Sequence, residues 1–289
     1  MANYIQLHKK HFNLKTFVQN ALQEDVGDGD HSALATVPAN HRGKCRLIVK
    51  EDGIIAGVEA AREIFKAVDP KFKFTELIKD GSRVKVGDIA FLVEGNSRKL
   101  LTTERLVLNV MQRMSAIATK TNYLQGLCKG TKTRVIDTRK TTPNFRFFEK
   151  WAVVIGGGAN HRFGLYDMIM IKDNHIDFAG GIIEALDATH AYLKKTRRKL
   201  PIEVETRTID DVKLLLKKGG FQRIMLDNYS IADTKKAVKL INGAFEVESS
   251  GGITEKTIAA YAKCGVDFIS VGALTHHVKS LDMSLKAVK

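Results

Sequence analysis

Three short polar stretches dominate the middle of the chain: Asp137-Thr138-Arg139-Lys140-Thr141-Thr142-Pro143, Gly156-Gly157-Gly158-Ala159-Asn160-His161-Arg162 and Ile171-Lys172-Asp173-Asn174-His175. Several of their cations sit beside turn residues rather than along helix faces. From Arg139 to Arg162 there are five Lys or Arg and one acid, Glu149. A fold that gathers these loops builds a pocket for a small, multiply anionic ligand, because guanidinium and ammonium groups hold carboxylates and phosphates by charge-assisted hydrogen bonds. Further along, Glu205 and Asp227 each end an apolar run. Carboxylates there, facing a phosphate-bearing pocket, suit Mg²⁺, usually through water. Glu203 shares a strand face with Glu205 by the period of two, and Glu205 lies nearer the strand end. Ser250-Gly251-Gly252 reads as opening directly onto a helix over Thr254 to Lys263, and Val271-Gly272-Ala273 repeats the arrangement. Both would offer backbone N–H groups and a helix N-terminus to a phosphate.

Simpler readings stand beside these. Arg139, Lys140 and Lys172 could be paired with Glu205 and Asp227, and His161 could be a satisfied loop histidine. The Gly156-Gly157-Gly158 run is not a dinucleotide fingerprint, because it lacks the G-x-G-x-x-G spacing.

The elements that must carry these groups follow a regular beat. Ile202 to Glu205, Arg223 to Asp227, Phe245 to Ser249 and Phe268 to Gly272 read as strands, with centres stepping by about 22 residues. Helical patterns at Asp210 to Lys218, Ile231 to Ile241 and Thr254 to Lys263 separate them. Such βα units cross over right-handedly into a parallel sheet, and strands at Arg134 to Asp137 and Met168 to Ile171 bring the count to six or more. A closed or nearly closed barrel follows. Arg139 and Lys140, Lys172, Glu205, Asp227, Ser250 and Gly272 then fall at or just after carboxyl strand ends, the working face of such barrels.

Residues 1 to 112 read as a smaller α+β domain, ahead of a barrel domain over 113–274, with the tail 275–289 free to pack on the first. Its expected elements are a helix near Asn13 to Glu24, a hairpin turning at Glu51-Asp52-Gly53, a helix over Glu59 to Val68 and strand patterning across Arg83 to Val93. A long helix over about Lys99 to Leu127, capped at Thr102 or Thr103, joins the two.

Forty-six Lys and Arg against 32 Asp and Glu give a formal charge of +14, which favours anionic partners. Much of the excess lies in runs such as Lys194 to Lys199 that read as solvated faces. Aromatics make up 7% of the chain and do not alternate with the charges, so nucleic-acid binding is the lesser reading. Three scattered cysteines suggest neither a zinc site nor a disulfide framework, and no apolar run reaches spanning length. A soluble cytoplasmic protein is expected.

The chain resembles the quinolinate phosphoribosyltransferase family, the carboxylating nicotinate-nucleotide pyrophosphorylases of type II, over nearly its whole length. The resemblance rests on Thr103-Glu104-Arg105, Gln112-Arg113-Met114-Ser115-Ala116-Ile117-Ala118-Thr119, the first and third polar stretches, Asn160-His161-Arg162-Phe163-Gly164-Leu165-Tyr166-Asp167 and Glu248-Ser249-Ser250-Gly251-Gly252-Ile253. It implies an N-terminal α/β (α+β) sandwich and a C-terminal incomplete, seven-stranded α/β barrel, assembled as a homodimer or a multiple of it. It implies transfer of phosphoribosyl from phosphoribosyl pyrophosphate to quinolinate with decarboxylation, in de novo NAD biosynthesis. Thr138, Arg139, Lys140, His161, Arg162 and Lys172 would surround the quinolinate carboxylates and the diphosphate. Arg105 would enter a neighbouring subunit's site, Glu205 and Asp227 would hold the ribose hydroxyls and Mg²⁺, and Ser250, Gly251, Gly252 and Gly272 would hold the 5-phosphate. Asn144-Phe145-Arg146-Phe147 and His31-Ser32-Ala33 depart from the family's usual Gly-Leu-Arg and Ile-Thr-Ser segments. Rival readings are a related transferase acting on nicotinate, a basic nucleic-acid-binding protein and a phosphate-binding barrel isomerase or aldolase.

Overall fold

A computed structural model of the chain describes Tyr4, His8 and residues 10–288. The chain forms two compact units. One takes in the chain up to Asn122, Thr141–Gly157 and the chain from Thr275; the other comprises Tyr123–Lys140 and Gly158–Leu274.

In the first unit an antiparallel sheet has the order β12-β1-β5-β3, with β1 Arg42–Val49, β3 Lys73–Glu76, β5 Ile89–Asn96 and β12 Met283–Ala287. The strands β2 Gly53–Ile54 and β4 Arg83–Val84 pair with each other instead. The hairpin expected at Glu51-Asp52-Gly53 therefore does not form. β1 carries the alternating apolar residues Cys45, Leu47 and Val49, and it takes β5 and the tail strand β12 as its two neighbours. Helix α1, Val58–Val68, buries Val58, Ala60, Ala61, Ile64 and Phe65, and Phe65 meets Phe72, Phe74 and Phe91.

The long helix α2 runs from Ser97 to Leu127. Asn96, not a threonine, caps it by accepting from the Lys99 N–H at 3.1 Å. Thr102 and Thr103 lie within the helix and donate back to the Arg98 and Lys99 carbonyls, the local bond that suits threonine inside a helix. Glu149, the lone acid of the cationic stretch, is fully buried on helix α3, Arg146–Ile155. Arg113 donates to it at 2.7 Å and the Thr142 hydroxyl at 2.9 Å.

The second unit holds a parallel sheet whose order, β6-β11-β10-β9-β8-β7, follows the sequence except that β6 joins at the far edge. The strands are β6 Arg134–Ile136, β7 Ile169–Ile171, β8 Ile202–Thr206, β9 Arg223–Asp227, β10 Glu246–Ser250 and β11 Phe268–Ser270. Among the described residues the expected seventh strand is reduced to one bridge, Ala159 on Ile136. The chain leaves the ladder at the next residue because Asn160 Nδ2 and the His161 N–H both donate to the Asp137 carboxylate, at 2.5 and 3.0 Å. The result is an incomplete α/β barrel. Helices Ile182–Thr196, Ile209–Lys218 and Ile231–Ile241 connect successive strands.

Candidate active site

Most barrel residues singled out from the sequence lie at or just beyond a carboxyl strand end of the second unit. Thr138, Arg139 and Lys140 follow β6, Lys172 follows β7, Glu205 and Asp227 lie at the ends of β8 and β9, Ser250 ends β10, and Gly272 follows β11. Short local bonds set their directions. The Thr138 hydroxyl accepts from the Lys140 N–H at 3.0 Å. The His175 ring accepts from the Lys172 N–H at 2.9 Å and so fixes the turn into helix Asp173–Ala179. Arg105 lies exposed on α2, in the first unit.

Arg162 is the most informative of the cations. Only 8% of it is exposed, and its Nη1 donates to the Met168 carbonyl at 3.2 Å. Burial and the nearby Arg139 both lower its pKa, with Glu203 and Asp167 opposing. A guanidinium buried near a second cation gains from an anion placed beside it. Asp167 accepts from the Phe163 and Gly164 N–H groups at 2.6 and 2.9 Å, which holds the loop that follows.

Across the rim, the Glu205 carboxyl is held above the usual range by burial and by Asp227, against the pull of Lys172. Asp227 accepts from Asn228 Nδ2 at 2.7 Å. Two acids at neighbouring strand ends of the rim, with hard oxygen donors, fit a divalent cation such as Mg²⁺.

The phosphate loop differs from its expected form. After Ser250-Gly251-Gly252 the chain makes a turn at Thr254–Thr257, and the helix covers only Ile258–Ala262. The Ile258 N–H bonds back to the Thr254 carbonyl at 2.9 Å, and Thr257 is helical in backbone but not a side-chain cap. After Gly272 the helix is just Ala273–His276. Helices this short carry little macrodipole. An anion held here would rely on the loop N–H groups themselves, with Gly251 and Gly252 at φ 90° and 60°.

His161 is drawn inward. Its ring is almost fully buried, with Nε2 at 3.0 Å from Glu203 and 3.4 Å from Glu248. Both glutamates are fully buried and escaped sequence-based assignment, although charged residues inside the apolar runs Ile202 to Glu205 and Phe245 to Ser249 were a visible signal. Burial alone lowers the histidine's pKa, but Glu203 and Glu248 outweigh it and raise it to about 9. The Arg162 N–H approaches Nδ1 to 2.6 Å and favours a ring bare at that nitrogen. A neutral hydrogen bond is worth about 1 kcal/mol, less than two carboxylates contribute in a dry interior, so the charged ring is favoured. With the folded value above the ordinary 6.5, this stabilisation is full below about 6.5 and fades as pH rises through about 9. In denaturation experiments the wild-type advantage over His161→Gln should shrink across that window. A constant advantage would show a neutral ring held by Arg162.

Comparison with known proteins adds independent findings. Residues 30–115 match the family described as quinolinate phosphoribosyl transferase, N-terminal domain, and residues 117–286 match its C-terminal domain. The chain is 46% identical to a chloroplastic nicotinate-nucleotide pyrophosphorylase (carboxylating) of Oryza sativa subsp. japonica, over 95% of this chain and 78% of that protein. It is 44% identical to the mitochondrial quinolinate phosphoribosyltransferase (decarboxylating) 2 of Nicotiana glauca, over 95% and 82%. The crystal structure of NadC from Streptococcus pyogenes superposes with a TM-score of 0.88 at 37% identity, covering 96% of this chain and 97% of that one.

Proposed function

The chain belongs to the quinolinate phosphoribosyltransferase family, and from that membership we propose how its barrel rim divides two substrates. The protein transfers the phosphoribosyl group of phosphoribosyl pyrophosphate to quinolinate with decarboxylation, a step of de novo NAD biosynthesis that forms nicotinate mononucleotide, pyrophosphate and CO2.

The cationic half takes quinolinate. The observation that carries this is the buried Arg162 guanidinium, whose charge is disfavoured by burial and by Arg139: an aromatic dianion supplies the counter-charge. Thr138, Lys140, His161 and Lys172 complete that half. Glu205 and Asp227 accept from the ribose hydroxyls, while Ser250, Gly251, Gly252 and Gly272 hold the 5-phosphate. Glu205 and Asp227 would also hold Mg²⁺ through water, where the ion supplies charge neutralisation to the departing diphosphate.

The pyridine nitrogen of quinolinate attacks C1 of the ribose as the bond to the diphosphate breaks, through an oxocarbenium-like state. The ring nitrogen then carries a positive charge, which stabilises the electron pair left on C2 when the 2-carboxylate departs as CO2, and a proton from water completes the C2–H bond of nicotinate mononucleotide. This chain's residues act by holding both reactants in line and by placing fixed charges where charge develops. No nucleophilic Ser or Cys enters.

The test is direct. Quinolinate, phosphoribosyl pyrophosphate and Mg²⁺ should yield pyrophosphate and CO2 in equal amounts, and nicotinate in place of quinolinate should yield no CO2. Pyrophosphate released with nicotinate alone would transfer the assignment to a related transferase.

Arg105, exposed on α2, would serve the site of a second copy in a homodimer. Sedimentation showing an active monomer would remove that role. The cytoplasm is the proposed compartment, in keeping with three free cysteines. The named relatives include chloroplastic and mitochondrial proteins, so localisation of a tagged chain to an organelle is the competing outcome.

A further inference from the structure

Beneath the rim the barrel interior holds a charged chain that substrate need not touch. Arg223 on β9 lies with its guanidinium carbon 4.1 Å from the centre of the Phe268 ring. Its Nε and Nη2 donate to Glu246 at 3.1 and 3.0 Å, and its Nη1 donates to Glu248 at 3.3 Å and approaches Glu203 to 3.9 Å. Glu203 and Glu248, from β8 and β10, then meet the same atom of His161, Nε2. Glu203 also acts on the Arg162 charge. From above, Asp137 holds the backbone of His161 and the side chain of Asn160. The Asn160-His161-Arg162 segment is thus gripped at its backbone by one carboxylate and at its ring by two.

Burying two carboxylates is expensive, and an ion network of this kind is often no more stable than an apolar replacement of the same volume. Its retention in a barrel that could be packed with aliphatic side chains calls for a role other than stability.

We propose that Glu203 and Glu248, fixed from below by Arg223, are positioning residues for quinolinate: they hold His161, and through it the adjoining Arg162, in the geometry that grips the substrate's carboxylates. This rests on the assignment of the cationic half to quinolinate. Negative charge from beneath also supports the buried Arg162 guanidinium before substrate arrives, so the site is formed in advance of binding. Glu205, two residues on, faces the other substrate, so one strand serves both halves from two levels.

Glu203→Gln and Glu248→Gln keep size and remove charge. In each, the quinolinate KM should rise at least tenfold while the KM for phosphoribosyl pyrophosphate stays within about twofold, and the melting temperature should fall because one partner of a buried charge network is lost. Glu203→Asp and Glu248→Asp, which restore the charge at a shorter reach, should recover part of the loss. Arg223→Met, remote from the rim, should shift the quinolinate KM in the same direction by a smaller factor. Should the glutamine variants fail to fold, the aspartate variants and Arg223→Met decide by the same comparison of the two KM values. Folded variants with an unchanged quinolinate KM, or with both KM values raised equally, would overturn the positioning role. A wild-type protein that fails to release CO2 from quinolinate would instead remove the substrate assignment itself.

Discussion

Arg162→Ala is expected to lower kcat/KM for quinolinate by at least about a hundredfold, about 2.7 kcal/mol, with little change in the KM for phosphoribosyl pyrophosphate. The magnitude follows from burial. A charge-assisted contact in a site this dry is worth several times an exposed one, and the fork of the guanidinium matches a carboxylate with two parallel bonds. Arg139 is exposed, so Arg139→Ala should cost less, about tenfold. Arg162→Lys should recover little, because an ammonium offers a point charge where the site presents a fork.

Stability should move the other way. Removing Arg162 forfeits a bond to the Met168 carbonyl and the attraction of Glu203 and Asp167, but also ends the cost of burying its charge and its repulsion with Arg139. The two roughly offset, and an unchanged or higher melting temperature beside a large kinetic loss is the signature of a site strained for function. A kcat/KM within threefold of wild type would end the assignment of Arg162 to quinolinate. A parallel loss of stability and activity would mean that Arg162 is a structural residue of its loop.

Much of the barrel was legible because its signal repeats. Apolar runs with one period, each followed by a polar or glycine residue, carry the same information six times, and a slip of one residue at β6 or β10 leaves the rim intact. The first unit was less legible because its pairings are non-local. β1 and β2 are separated by a turn-like Glu51-Asp52-Gly53, yet β1 finds its partners in β5 and in a tail strand more than two hundred residues away. No local turn chemistry encodes that choice. The interior network was hidden for a different reason. Alternation places Glu203 and Glu205 on one face, but their depth along the strand separates a buried structural charge from a rim carboxylate, and depth depends on where the barrel closes. The phosphate loop was misread at its helix because Thr254 begins a turn that bonds to Thr257 before the helix starts at Ile258.

That loop supports the second large prediction. Gly251→Ala is expected to raise the KM for phosphoribosyl pyrophosphate at least about a hundredfold while the KM for quinolinate changes little. Gly251 has φ 90°, a conformation that costs an L side chain about 1 kcal/mol or more, and a Cβ there would sit 2.9 Å from the Asn228 backbone nitrogen and still nearer its side-chain oxygen. The side chain could swing away, but the backbone cannot, because the Asn228 N–H is bonded to the Ser250 carbonyl at 2.9 Å. Asn228 also donates to Asp227, so a shift that relieves the clash disturbs the acid proposed for the ribose together with the loop proposed for the phosphate. Gly252 gives the internal control. Its φ of 60° also favours glycine, yet a Cβ there meets nothing within 4 Å. Gly252→Asn, a residue that tolerates this backbone region, should therefore cost far less than Gly251→Ala. Equal effects at the two positions would mean that backbone strain alone, rather than the close approach of Gly251 to Asn228, decides the fate of the loop. No effect at either would remove Ser250-Gly251-Gly252 from the phosphate site.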